Sequence, residues 1–169
     1  FIEFGRGDFS QSTDHLFEAL NMIGDDLDQE KISSLYLNLG TLLIQQGETE
    51  KSLEYLEIAQ SFAQKPGLEI LHANLLNNRG VIYGMKEEYQ KAIESFNKAL
   101  LINYEVNNQF GIASVFQNLG KCYHYLEEHS LSLKYYSKAK EIYEQIGSHF
   151  NLSNCYINLS EHYLKTDNK

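Results

Sequence analysis

The chain has 169 residues, of which 43% are hydrophobic and 22% charged, a balance that excludes a disordered tail and fits one domain or one array. A formal net charge of −9 argues against the basic stripe a phosphate backbone demands, so no nucleic-acid partner is expected. No apolar run approaches the roughly 18–20 residues of a membrane span, and the start lacks the basic-then-apolar order of a leader, so no membrane partner is expected.

Pro66 is the only proline, which leaves long stretches free to be helical. Apolar periodicity and turn signals predict helices over 9–23, 29–46, 49–64, 68–86, 89–105, 109–126, 129–145 and 149–165. The first carries Ser12-Thr13-Asp14-His15-Leu16-Phe17-Glu18-Ala19, a block that returns as Ser52 to Ala59, Ala92 to Ala99 and Ser132 to Ala139, each 40 residues on. The second carries Asn38-Leu39-Gly40, which returns as Asn78-Arg79-Gly80, Asn118-Leu119-Gly120 and Asn158-Leu159-Ser160 at the same spacing of 40. A repeat without insertions implies stacked units that share one core.

Each unit is a pair of helices. The first helix has one apolar stripe at i, i+3, i+4, i+7: Tyr36, Leu39, Gly40 and Leu43, with Leu76, Gly80, Tyr83 and then Phe116, Leu119, Gly120, Tyr123 in the later copies. The second sets a small residue, a large one and alanine in order, as in Ser52/Leu56/Ala59, Ala92/Phe96/Ala99 and Ser132/Tyr136/Ala139. Gly47-Glu48, Glu87-Glu88 and Glu127-Glu128 are short turns that make the paired helices antiparallel. Lys65-Pro66-Gly67, Asn107-Asn108 and Gly147-Ser148 separate one pair from the next. The units run over about 1–26 (partial), 27–66, 67–106, 107–146 and 147–169 (partial), so the whole of 1–169 reads as a single array cut from a larger protein.

The order of a large residue, Leu-Gly, an aromatic, a Gly-Asp/Glu turn, then small, aromatic and alanine resembles the tetratricopeptide repeat, here with 40 residues instead of the usual 34. Departures from its pattern are Arg79 for leucine, Ser160 for glycine, Leu43 for tyrosine, and Thr49 and His129 where an aromatic commonly follows the turn. The resemblance implies an all-α, right-handed superhelical solenoid of antiparallel helix pairs, whose first helices line a concave groove that holds a peptide or another protein's helix. By register that groove presents Ser34, Leu37, Asn38 and Thr41; Asn74, Asn77, Asn78 and Val81; Ser114, Gln117, Asn118 and Lys121; then Asn154, Ile157, Asn158 and Glu161.

Asparagine inside a helix costs about 0.5–0.7 kcal/mol relative to alanine, so the four recurring copies need a partner. Either their amides donate to and accept from a bound chain's backbone, or they bond across neighbouring first helices. Lys121 and Arg79 set against Glu161 make a poor clamp for a terminal carboxylate. His124 and Tyr125 are candidates to reach the groove and anchor a side chain, while the surrounding Tyr123, Tyr135 and Tyr136 read as packing residues.

Chemistry-bearing motifs are few. Arg6-Gly7-Asp8 falls in register on a helix turn, one period before Gly47-Glu48-Thr49. Cys122 and Cys155 lack metal-ligand spacing and read as small core residues. The six histidines are scattered, and the glycines form no phosphate loop, so no catalysis, metal or cofactor is expected. The expected function is noncatalytic binding of a protein or peptide within a larger cytoplasmic signalling or scaffold protein. The competing expectation is a regulatory segment that mediates homodimerisation or autoinhibition of an attached output domain such as a transcription factor, histidine kinase or cyclase.

Overall fold

The computed structural model describes residues 29–63 and 65–166, with His15 and Glu18 besides and with 165 and 166 as backbone only. Seven helices and no strands occur among these residues: α1 Gln29–Gln46, α2 Thr49–Phe62, α3 Glu69–Met85, α4 Tyr89–Glu105, α5 Gln109–Tyr125, α6 His129–Gln145 and α7 His149–Thr166. The predicted bounds hold to within two residues in every one. The predicted helix 9–23 and the Arg6-Gly7-Asp8 turn lie outside the described residues, apart from His15 and Glu18, which are helical.

The turns reveal a shorter period than the sequence displays. Gly47, Gly67, Glu87, Asn107, Glu127 and Gly147, spaced 20 apart, all have φ between 54° and 94°. Five of the six close a helix by the same pair of bonds. Glu48 N donates to Leu43 O while Gly47 N donates to Ile44 O, and the pairs Glu88/Tyr83, Asn108/Asn103, Glu128/Tyr123 and Ser148/Tyr143 repeat the first of these, which spans five residues, at 2.9 Å. The left-handed residue satisfies carbonyls that the helix end leaves open. Pro66 explains the exception. It forces Lys65 out of helical backbone, so α2 stops at Phe62, whereas α4 and α6 run on to Glu105 and Gln145.

Within each pair, glycine on the first helix receives the large residue of the second. A Cβ on Gly40 would stand 2.9 Å from Leu56, on Gly80 2.5 Å from Phe96, and on Gly120 2.6 Å from Tyr136. Leu56, Phe96 and Tyr136 are correspondingly buried, as are Ala59, Ala99 and Ala139. The small residues opposite add polar ties: Ser52 Oγ donates to Gly40 O at 2.7 Å and Ser132 Oγ to Gly120 O at 3.0 Å. Ala92 takes that place in the middle pair without a bond.

Between pairs, α1 touches α3, α3 touches α5 and α5 touches α7, but no two of α2, α4 and α6 touch among the described residues. First helices therefore form the inner row and second helices the outer one. No described helix is long and apolar enough to cross a membrane.

Candidate interaction groove

The inner row is built from residues that the stripe leaves over once Leu39, Leu76 and Leu119 turn into the core. Asn38, Asn74, Lys121, Ile157 and Glu161 are exposed; Ser34, Thr41, Asn77, Asn78, Val81, Ser114, Gln117, Asn118, Asn154 and Asn158 are half-buried. Leu37 is the correction. Its side chain is packed with Leu56, Ala59 and Ile82 and presents nothing to the groove, because a fifth apolar residue widens the buried stripe of α1.

Two of the recurring asparagines each give one amide N–H to a neighbouring first helix. Asn78 Nδ2 donates to Thr41 Oγ1 at 2.7 Å, and Asn118 Nδ2 donates to Asn77 Oδ1 at 3.0 Å. Thr41 Oγ1 in turn donates to Leu37 O at 2.8 Å. Each such bond is worth about 1 kcal/mol net, enough to offset asparagine's helical cost. The bond across neighbouring first helices is thus realised at two of the four positions. Asn158 differs: its Nδ2 is buried with no partner among the described residues. By register its partners would be Gln117 and Lys121, one longer than asparagine and the other a donor where Thr41 accepts.

Val81, Asn118 and Lys121 come together around a cavity of about 370 Å³ between α3, α4 and α5, which also takes in Gly80, Gly84, Met85, Glu87, Tyr89, Phe96, Cys122 and Tyr125. Of the aromatic residues expected to reach the groove, Tyr125 is 61% exposed, lines this cavity and stacks on Tyr89 of α4 at 5.6 Å with ring planes 9° apart. Tyr123 and Tyr135 stack on each other at 5.3 Å, and Tyr136 is buried, as packing residues should be. Arg79 points away, its guanidinium donating to Gln60 Oε1 of α2. Gly84, Met85 and Tyr89 went unnoticed in the sequence. The available signal was a break in register: Gly84 stands where the other copies have Ile44, His124 and Leu164.

The histidines are less scattered in space than in sequence. His124, His129 and His162 converge from α5, α6 and α7, with the Nδ1 atoms of His124 and His162 3.3 Å apart and the rings of His129 and His162 at 5.5 Å. Burial, and then the neighbouring His129, hold the His162 imidazole below its ordinary pKa. Among the described residues no set of histidine, cysteine and carboxylate side chains is arranged to hold a metal ion. Cys122 and Cys155 are free and buried, and burial pushes both thiols up to about 11, which leaves them neutral packing residues.

The sequence matches the family described as tetratricopeptide repeat over residues 31–105 and 110–169. Among solved structures, BtubC (BKLC) from P. vanneervenii is 23% identical, with a TM-score of 0.77 over 95% of this chain and 67% of that one. The apo form of RapI is 22% identical, with a TM-score of 0.78 over 98% of this chain and 46% of that one. Aspartyl phosphate phosphatase F from Bacillus subtilis is 14% identical, with a TM-score of 0.80 over 95% of this chain and 40% of that one. The chain thus spans less than half of the last two. No curated protein sequence matches it significantly.

Proposed function

The chain belongs to the tetratricopeptide-repeat family, and from that premise we propose that its inner row is a noncatalytic groove for a peptide or a partner's helix within a larger signalling or scaffold protein. The observation that supports this most is an inner surface made mostly of neutral amides and hydroxyls, with Lys121 and Glu161 as its charged residues and an open cavity beside Lys121. Such a surface offers backbone-directed hydrogen bonds with few demands on side chains, and a single place where one side chain can be read. Asn38 and Asn74, exposed and in neighbouring repeats, are the asparagines best placed to meet a bound backbone.

A second reading has its own support. Along α7, Phe150, Tyr156, Ile157 and Leu164 are at least half exposed, an apolar surface suited to self-association in a regulatory segment. The two readings separate in one experiment. Hexapeptides selected by display on the chain are synthesised and titrated against it and against an Asn38→Arg/Asn74→Arg variant, alongside sedimentation velocity. Groove binding predicts at least a tenfold loss of affinity in the variant with no change in oligomeric state. A chain that selects no peptide and dimerises through α7 would replace the groove by the second reading.

A further inference from the structure

Five glycines lie inside the described helices, and four of them have a steric reason to be there. A Cβ on Gly40, Gly80, Gly111 or Gly120 would stand within 3.0 Å of a facing side chain; on Gly84 it would meet nothing within 4 Å. Gly84 is on α3, outside the left-handed region, one turn beyond Gly80. Glycine is unfavourable in a helix interior, and no tight contact requires it at this position. What its missing side chain does is open the cavity between α3 and α5, at a register position that Ile44, His124 and Leu164 fill elsewhere.

The cavity has a built character. Phe96 and Cys122 form a buried apolar floor. Met85 stands at one side and Tyr125, held flat against Tyr89, at another. Polar groups in the lining are Asn118, Lys121, Glu87 and the hydroxyls of Tyr89 and Tyr125, and Lys121 is the one cation among them. Asn118 uses its Nδ2 on Asn77, which leaves Oδ1 as an acceptor, and Lys121 makes no ion pair among the described residues despite the chain's net charge of −9. An apolar floor beside a single lining cation favours an apolar group next to a carboxylate.

We propose that this cavity is the anchor subsite of the groove: it takes one large apolar side chain, leucine, methionine or phenylalanine, from a bound peptide that carries an aspartate or glutamate within two residues to pair with Lys121. The peptide's backbone N–H next to the anchor donates to Asn118 Oδ1. Glu87 repels a carboxylate on the side of the α3–α4 turn, so the acid lies toward α5. This rests on the groove reading above.

The test uses a random hexapeptide display library selected on the chain, with the enriched consensus peptide synthesised and followed by fluorescence anisotropy. Enrichment of leucine, methionine or phenylalanine with an acid within two positions is expected. Gly84→Leu should fill the cavity and weaken that peptide at least tenfold while the melting temperature stays level or rises, because the added side chain enters open space and improves the helix. Lys121→Gln should remove the acid preference and flatten the salt dependence. Equal affinity in Gly84→Leu would overturn the subsite. If Asn38→Arg/Asn74→Arg abolished binding in that case, the groove reading would stand without it; if neither variant mattered, both readings would fall.

Discussion

Single residues in this chain are tuned more by their neighbours than by their type. Glu87, Asn107 and Glu127 sit at φ of 61°, 54° and 60°, where a side chain costs about 1–2 kcal/mol, and they persist because each completes the paired bonds that close its helix. Nothing about a glutamate in a sequence advertises left-handed backbone, so this feature was legible at the glycines and at Asn107 but not at Glu87 or Glu127. His162 carries a prediction. Its folded-state pKa lies below the ordinary 6.5, through burial first and His129 second, and His124 from α5 also faces it. The folded state favours the neutral ring, so the stability it supports is present above pH 6.5 and is lost as pH falls through the lowered folded value. Melting temperatures between about pH 7.5 and 5.5 should therefore decline in the native chain and decline less in His162→Phe. Equal slopes in the two proteins would mean that the cluster does not couple to folding.

At the scale of helices, the recurring unit is a glycine that receives a large side chain sixteen residues later, in Gly40/Leu56, Gly80/Phe96 and Gly120/Tyr136. Both halves of this contact were visible in the sequence as a conserved spacing within the chain, because a contact that serves every pair leaves the same trace in each. Gly84 breaks that logic, and the contrast is measurable. Gly80→Ala and Gly120→Ala, which force a methyl group against an aromatic ring, should each lower unfolding free energy by about 1–3 kcal/mol. Gly84→Ala should raise it by about 0.5–1 kcal/mol, since only the helical penalty of glycine is removed. Urea denaturation of the three variants decides it; a destabilised Gly84→Ala would show that the position serves packing after all.

Across the whole molecule, stability is a sum over neighbouring pairs, and the sum is uneven. One apolar cluster joins α3 to α7 through Phe96, Ile112, Phe116, Leu119 and Tyr143, while a smaller one ties α1 and α2 to α3 through Leu37, Leu56, Leu75 and Ile82. The junction at Pro66 adds to the difference, because it shortens α2 and lacks the paired turn bonds found elsewhere. Amide hydrogen exchange should accordingly be slowest in α4 and α5 and faster in α1 and α2, with Pro66→Val, the residue type at Val106, slowing exchange in α2. Uniform protection across the array would contradict this.

The sequence by itself determined the array, its register and its helix bounds, since a 40-residue period acts on every unit alike and averages out local exceptions. It also marked the asparagines as residues in need of partners, but their partners lie 37 and 41 residues away on another helix. Only the tertiary structure decided that two of those amides tie first helices together, that Leu37 belongs to the core, and that three distant histidines meet. It likewise decided which glycine is structural and which opens a cavity. Periodicity reports what repeats, whereas a site arises where one copy departs from the others, and the consequence of a departure depends on what stands opposite it in space.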